Sequence, residues 1–361
     1  MYSVKRQTLS NLSKLNSFCL IVLIFLASCD SFYPQTREMS FEGELPELIQ
    51  NYFSKDFDYS YIVEKNGKII YSGNSGYVNK NKKVNNQTLY NVASISKAFT
   101  SVGILKLVDQ NKLGLDTTLD QIYDNVPVEK AKITIHMLLS HQSGYGDDYL
   151  CVGEGESSNA LKEVLSNPLE TKPATSFKYS NQNYQLLALI IEKISGSKYE
   201  DFSRKEILIP LEMSDSQFWE EINSTMNLIA TKKKMLKKFG KRDWGYSKVF
   251  SCSSDLLRFW NGVYNSQLLS NKSKEIIRSN HYQTKTGLQI GYGFYGRTET
   301  AWRTPELYTR GTESWGHNAV IRRFPNKNVT IVVLTNSGEF GKNNMTGNKI
   351  LSNYIANYLF Q

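Results

Sequence analysis

The chain has 361 residues, 40% of them apolar and 21% charged, with a formal net charge of +9. These proportions exclude disordered and collagen-like chains and permit one large domain or two lobes. The four cysteines and four histidines form neither a CxxC nor an HExxH pattern, so no metal site and no cofactor are expected.

The first 28 residues read as a signal peptide. Lys5, Arg6 and Lys14 give a basic start, and Phe18 to Ala27 is an apolar run too short to span a bilayer as a stable helix. Leu26-Ala27-Ser28-Cys29 resembles the lipobox of bacterial lipoproteins, which implies a lipid on Cys29. Residues 1–28 would be removed, 29–40 would be a tether and 41–361 the folded domain. Removal takes three basic residues and lowers the net charge to +6. The expected place is the bacterial cell envelope, outside the cytoplasm and held to a membrane by lipid. No nucleic-acid partner is expected there, and the domain is expected to be a monomer. Cys151 and Cys252 would remain, free to pair in an oxidising compartment.

Tyr59–Asn79 carries two β-rich runs flanking Asn66-Gly67, a hairpin signal. Next, Ala98, Val102, Leu105 and Val108 recur at helical spacing, which places Ser94 at or near the start of a long apolar helix. The stretch from about 130 to 270 holds several helical patterns; the clearest is NQNYQLLALIIEKISG. The chain then returns to strands, HNAVIRRFP and NVTIVVLTN, and closes on the amphipathic GNKILSNYIANYLF. The fold class is therefore α+β: an antiparallel sheet built from both termini and flanked by helices, with an inserted all-helical subdomain at about 130–270.

Ser94-Ile95-Ser96-Lys97 is an SxxK, whose two reactive side chains share one helix face. A serine hydroxyl needs a base, and a desolvated lysine can be one. The pattern is not unique, since Ser195-Gly196-Ser197-Lys198 repeats it at a helix C-terminus. Tyr179-Ser180-Asn181 is a Tyr-x-Asn just ahead of a helix; Tyr77-Val78-Asn79 and Tyr123-Asp124-Asn125 match it elsewhere. His136 and His141 read as a helix-end pair that holds loops by hydrogen bonds. The basic run Lys232–Arg242 reads as a solvated loop.

Taken in order, the segments TLYNVASISKAFTSVGILKLVDQNKLGLDTTL, ITIHMLLSHQSGY, ILIPLEMSDSQF, CSSDLLRFWNGV and YGFYG resemble the serine β-lactamase and penicillin-binding-protein family, in particular its class C and carboxypeptidase-like branch. Glu212 stands where that family usually has glycine. The resemblance implies the β-lactamase/transpeptidase fold. It implies Ser94 as nucleophile, Lys97 and Tyr179 as the proton-moving pair, and Asn181 as a substrate contact. The substrate would be a small molecule or peptide with an amide or ester bond. A weak or inactive module that recognises cell-wall fragments, or a covalent sensor, is the alternative.

The family's third element, KTG or GHxG, lies on a strand beside the nucleophile helix. Two segments compete for it. Lys285-Thr286-Gly287 matches the letters. His317-Asn318-Ala319 opens the strand that leads into the final hairpin and helix, and is the preferred wall. On that reading His317 and Asn318 contact substrate, and the N–H groups of Ser94 and Val320 hold the oxyanion. Arg322 or Arg323 would supply any cation the substrate needs.

Overall fold

A computed structural model describes residues 42–79, 81–147, 157–222, 245–265, 268–313, 316–336 and 346–361. Cys29, Cys151 and the basic run Lys232–Arg242 lie outside the described residues.

The main sheet is antiparallel and, among the described residues, eight-stranded. Its strands are β1 (Tyr59–Lys65), β2 (Lys68–Ser75), β3 (Tyr282–Gln283), β4 (Gln289–Ile290), β5 (Tyr295–Arg297), β6 (Glu306–Thr312), β7 (Asn318–Phe324) and β8 (Val329–Thr335). Their spatial order is β2-β1-β8-β7-β6-β5-β4-β3. The two ends of the chain meet at the β1–β8 pair, where Tyr59 faces Thr335. Asn66 and Gly67 join β1 to β2 with φ of 53° and 74°. A two-residue turn with both φ values positive matches the twist of the flanking strands, and Asn-Gly tolerates it at little cost.

Every residue of β7 and β8 is buried, and all but the last of β1. Such strands need cover on both faces. Helix α1 (Leu45–Phe53) and the C-terminal helix pack on one side. On the other side Ile62, Ile321, Val332 and Leu334 join one continuous core with the helices α2 (Ser96–Asp109), α3 (Ile135–Leu139), α4 (Asn181–Ser195) and α5 (Ser253–Asn265). The C-terminal helix, α6, spans Gly347–Phe360. α2 is buried over nearly its whole length, and its Phe99 stacks on Phe259 of α5 at 3.9 Å between centroids. A helix apolar all round belongs in a core, not on a surface.

The described residues between 130 and 270 carry several helices, but two short strands run among them. Val249–Ser251 pairs with Tyr90–Asn91 on one side and with Gln217–Phe218 on the other, in a small sheet at the foot of α2. α5 packs against the main sheet, on β1, β7 and β8.

Glu212, where the family usually has glycine, sits at φ 54° just past a helical turn, and its N–H donates to Ile209 O at 3.0 Å. A left-handed residue at that place favours glycine because any Cβ crowds the adjacent carbonyl. Glu212→Gly is therefore expected to stabilise the fold by about 1 kcal/mol. Urea unfolding checks it; a loss of stability would show that the Glu212 side chain contributes more than its backbone costs.

Candidate active site

The nucleophile turn is built before the helix begins. Ala93 holds φ 48°, a conformation that costs a non-glycine residue energy and persists only where neighbours enforce it. Its N–H donates to Asn91 Oδ1 at 2.6 Å, and the Asn91 N–H donates to His317 Nδ1 at 2.8 Å. Ser94 then stands within a short 3-10 turn (Ala93–Ile95) that runs straight into α2. It is half-buried, with its hydroxyl over the positive end of the helix.

Lys97 lies one turn on and is 1% exposed. Its Nζ donates to Ser94 Oγ at 3.1 Å. The rings of Tyr179, Tyr246 and Tyr184 surround it, at 4.9, 5.3 and 5.8 Å from nitrogen to centroid. Tyr179 precedes α4 by two residues, and its hydroxyl lies 2.8 Å from Ser94 Oγ. Asn181 opens α4, is nearly buried, and donates through Nδ2 to Asp147 Oδ1 at 3.3 Å. Ser94, Lys97 and Tyr179 thus meet in one hydrogen-bonded cluster. The other SxxK sits where α4 ends, beside Gly196 at φ 71°. The other Tyr-x-Asn matches fall on the edge strand Tyr77–Asn79 and after the short helix Leu119–Ile122.

The third wall differs from the expected one. The strand beside Ser94 is β6, not β7. A methyl group on Gly311 would lie 1.9 Å from Val92 O and 2.8 Å from Ser94 N, so β6 meets the nucleophile turn backbone to backbone. Only glycine permits that approach. In the β6–β7 ladder, Gly311 faces Ala319 and Thr312 faces Asn318, and the Glu313 N–H donates to His317 O at 2.9 Å. Bonded and non-bonded pairs alternate along such a ladder. The Gly311–Ala319 pair is therefore a bonded one, and the N–H of Thr312 points out of the sheet edge beside Ser94. β5 pairs with β6 only at Glu306–Tyr308, so beyond that point no strand covers this edge among the described residues.

Three expectations change as a result. By the same alternation, the N–H of Val320 points to its partner Val333 in β8, one strand further from Ser94, and is not available to an oxyanion. His317 is fully buried behind the nucleophile turn, where its ring faces Tyr90 and accepts from Asn91, so it braces the turn and does not touch substrate. Asn318 is buried with it and donates to Gly316 O. The wall reads Thr309-Arg310-Gly311, with neither lysine nor histidine in first place. That lack hid it in the sequence; a glycine in an otherwise β-like run, ELYTRGT, was the one signal. Lys285-Thr286-Gly287 forms the exposed turn between β3 and β4 at the far edge of the sheet.

Neither proposed cation reaches the site. Arg322 pairs with Glu306, donates to Asn353 at 2.6 Å and lies over Trp302, all on the α6 side. Arg323 donates to Thr330 and Asn328. Elsewhere, Asp215, Cys252 and Asp255 cluster closely enough to suggest a metal. Asp255 there accepts from the N–H groups of Asp215 and Ser216, from Ser216 Oγ and from Arg258. Burial pushes the Cys252 thiol up to about 12, so it stays protonated. The cluster has the chemistry of a structural knot.

An antiparallel sheet flanked by helices, with an SxxK at the head of a core helix and a free strand edge beside it, defines the serine-hydrolase class of β-lactamases and penicillin-binding proteins. The sequence model of that class, described as beta-lactamase, matches residues 59–351, and the chain belongs to this family. It is 26% identical to penicillin-binding protein 4* of Bacillus subtilis over 315 residues, covering 78% of this chain and 69% of that protein. It is 32% identical to protein flp of Staphylococcus aureus over 180 residues, covering 46% of this chain and only 36% of that one. Its fold matches a D-amino acid amidase from Ochrobactrum anthropi, solved with D-phenylalanine, with a TM-score of 0.74 at 17% identity, over 87% of this chain and 97% of that one.

Gly311→Ala is expected to slow labelling of Ser94 by a fluorophosphonate by about 100-fold or more, because the nucleophile turn must move. Lys285→Ala, on an exposed turn, is expected to leave the rate within about two-fold. The reverse pattern would return the wall to the Lys285 turn.

Proposed function

We propose that this protein hydrolyses an amide or ester through an acyl-enzyme on Ser94. The observation that carries the reading is the position of Ser94 Oγ, 2.8 Å from the Tyr179 hydroxyl and 3.1 Å from Lys97 Nζ. Ser94 Oγ attacks the carbonyl carbon while its proton passes to the Tyr179 oxygen, which acts as a phenolate paired with the Lys97 ammonium. The carbonyl oxygen becomes an oxyanion between the N–H groups of Ser94 and Thr312. Collapse of this intermediate breaks the bond to the amine or alcohol, which leaves with the proton returned through Tyr179. Water then attacks the ester on Ser94, gives its proton to the same pair, and frees the acid and the serine. Asn181, at the positive end of α4, binds the acyl side of the substrate.

The substrate reading follows from the wall. Thr309 lies two residues before Gly311 and so on the same face of β6. It is uncharged where the family's pattern places lysine or histidine. Such a wall favours D-amino-acid peptides, amides and simple esters over efficient β-lactam hydrolysis. The similarity in fold to a D-amino acid amidase favours D-amino acid amides among these. The enzyme would act in the cell envelope, held to a membrane by lipid on Cys29.

Intact mass after exposure to p-nitrophenyl esters, D-alanyl peptides, D-amino acid amides and penicillin is expected to show an acyl adduct on Ser94. Ser94→Ala should lose both the adduct and turnover, by about 10⁴-fold or more. Equal labelling of Ser94→Ala would refute the reading; an adduct that never turns over would make the protein a covalent sensor instead. Cys29→Ala is expected to move the protein from the membrane to the soluble fraction of cells. Retention in the membrane would refute the lipid anchor.

A further inference from the structure

His141 is not accounted for by the chemistry above, yet it contacts Tyr179 and both of its chain neighbours. Its ring stacks on the Tyr179 ring, with centroids 4.7 Å apart and planes at 29°. Its carbonyl oxygen accepts from the N–H of Lys178 at 2.8 Å, and its Nδ1 accepts from the N–H of Ser180 at 3.1 Å. The main chain on both sides of Tyr179 is therefore tied to one residue. His141 is 1% exposed and holds φ 57°, a left-handed conformation that a β-carbon makes costly. A buried residue kept in strain at a reactive centre points to a positioning task.

We propose that His141 is the positioning residue of the site: it clamps Tyr179 so that the phenol stays in reach of Ser94 Oγ. The inference rests on the acyl-enzyme reading for what Tyr179 does, but the clamp itself is a matter of geometry. Two donors converge on Nδ1, the Ser180 N–H and the Asn183 side-chain amide at 3.3 Å. The Asn183 carbonyl end is occupied by Ser143 Oγ, which turns its NH₂ end to the histidine. Nδ1 must then be an unprotonated acceptor, and the ring carries its proton on Nε2. Protonation would break the tie to Ser180.

The surroundings oppose that protonation. Burial, and then the charge of Lys97, hold the imidazole well below the usual histidine range. The titratable groups that face it are Lys97 from α2, Tyr179, and Tyr184 from α4, whose ring centroid lies 5.1 Å away. None is an acid that could stabilise an imidazolium. A neutral ring can stack under the phenol and leave the Lys97 ammonium as the one positive side chain of this group.

Two variants separate the parts of the clamp. His141→Asn keeps an acceptor near the place of Nδ1 and tolerates positive φ, but removes the stacked ring. His141→Phe keeps a ring and removes the acceptor. With a p-nitrophenyl ester, each is expected to lower kcat per fluorophosphonate-titrated site by about 10- to 100-fold while KM changes little. Variants that melt near the parent temperature and keep kcat per titrated site would overturn the proposal. The unaltered protein offers a second measurement. Nitrogen-15 spectra of its histidines, assigned through the main chain, are expected to show the His141 ring neutral, with the proton on Nε2, from pH 5 to 9. If all four histidines titrate in that range, or the His141 ring carries its proton on Nδ1, the clamp is refuted even if the variants do not fold. Failure of Ser94 to label at all would refute the acyl-enzyme reading and leave the spectral result to stand on its own.

Discussion

The site depends on one buried charge. The Lys97 ammonium is 1% exposed, and moving such a group out of water costs several kcal/mol unless the protein replaces its hydration. Here the replacement is Ser94 Oγ at 3.1 Å and the faces of three tyrosine rings. Cation–π contacts in a desolvated site are worth about 2 kcal/mol each, so several are needed. The same groups that solvate Lys97 are those that place Tyr179 on Ser94. Stability of the charge and readiness for proton transfer come from one set of contacts. That coupling explains why α2 is buried all round and why α4 must present its N-terminal end to it.

Much of this was legible in the chain. Asn66-Gly67 marked the hairpin because its turn demands two positive φ values, and few pairs other than Asn-Gly tolerate them. The sheet built from both termini followed from strand-like runs at each end. The encounter of Ser94, Lys97 and Tyr179 followed from placement, since SxxK and Tyr-x-Asn occur more than once in the sequence. In each case the pair that reaches the site stands at the head of a long helix. The rivals stand at a helix end, on an edge strand or after a four-residue turn.

The third wall was not legible, and the reason is physical. What the wall contributes is a missing Cβ at Gly311 and the direction of the Thr312 N–H. Neither has a side-chain signature. The direction of an N–H is set by ladder register, and a shift of one residue reverses it. His317 carried the recognisable letters but serves the nucleophile turn from behind, through Asn91. Glu212 shows the converse. It departs from the family's glycine, yet it lies on an exposed turn and bears on local backbone strain.

These facts bear on why Thr309 can stand where relatives place a cation. Ser94 lies at the N-terminal end of α2, and Tyr179 and Asn181 at that of α4. Each helix end carries about half a positive charge from its unpaired N–H groups. The edge of β6 adds the N–H of Thr312. The positive potential that a developing oxyanion needs is thus supplied by backbone, fixed in direction and with no rotamer to order. A cationic side chain on the wall would add little to that charge stabilisation. Its place in relatives is better explained by selection among substrates than by the chemistry of the carbonyl. An uncharged Thr309 leaves these backbone donors in place.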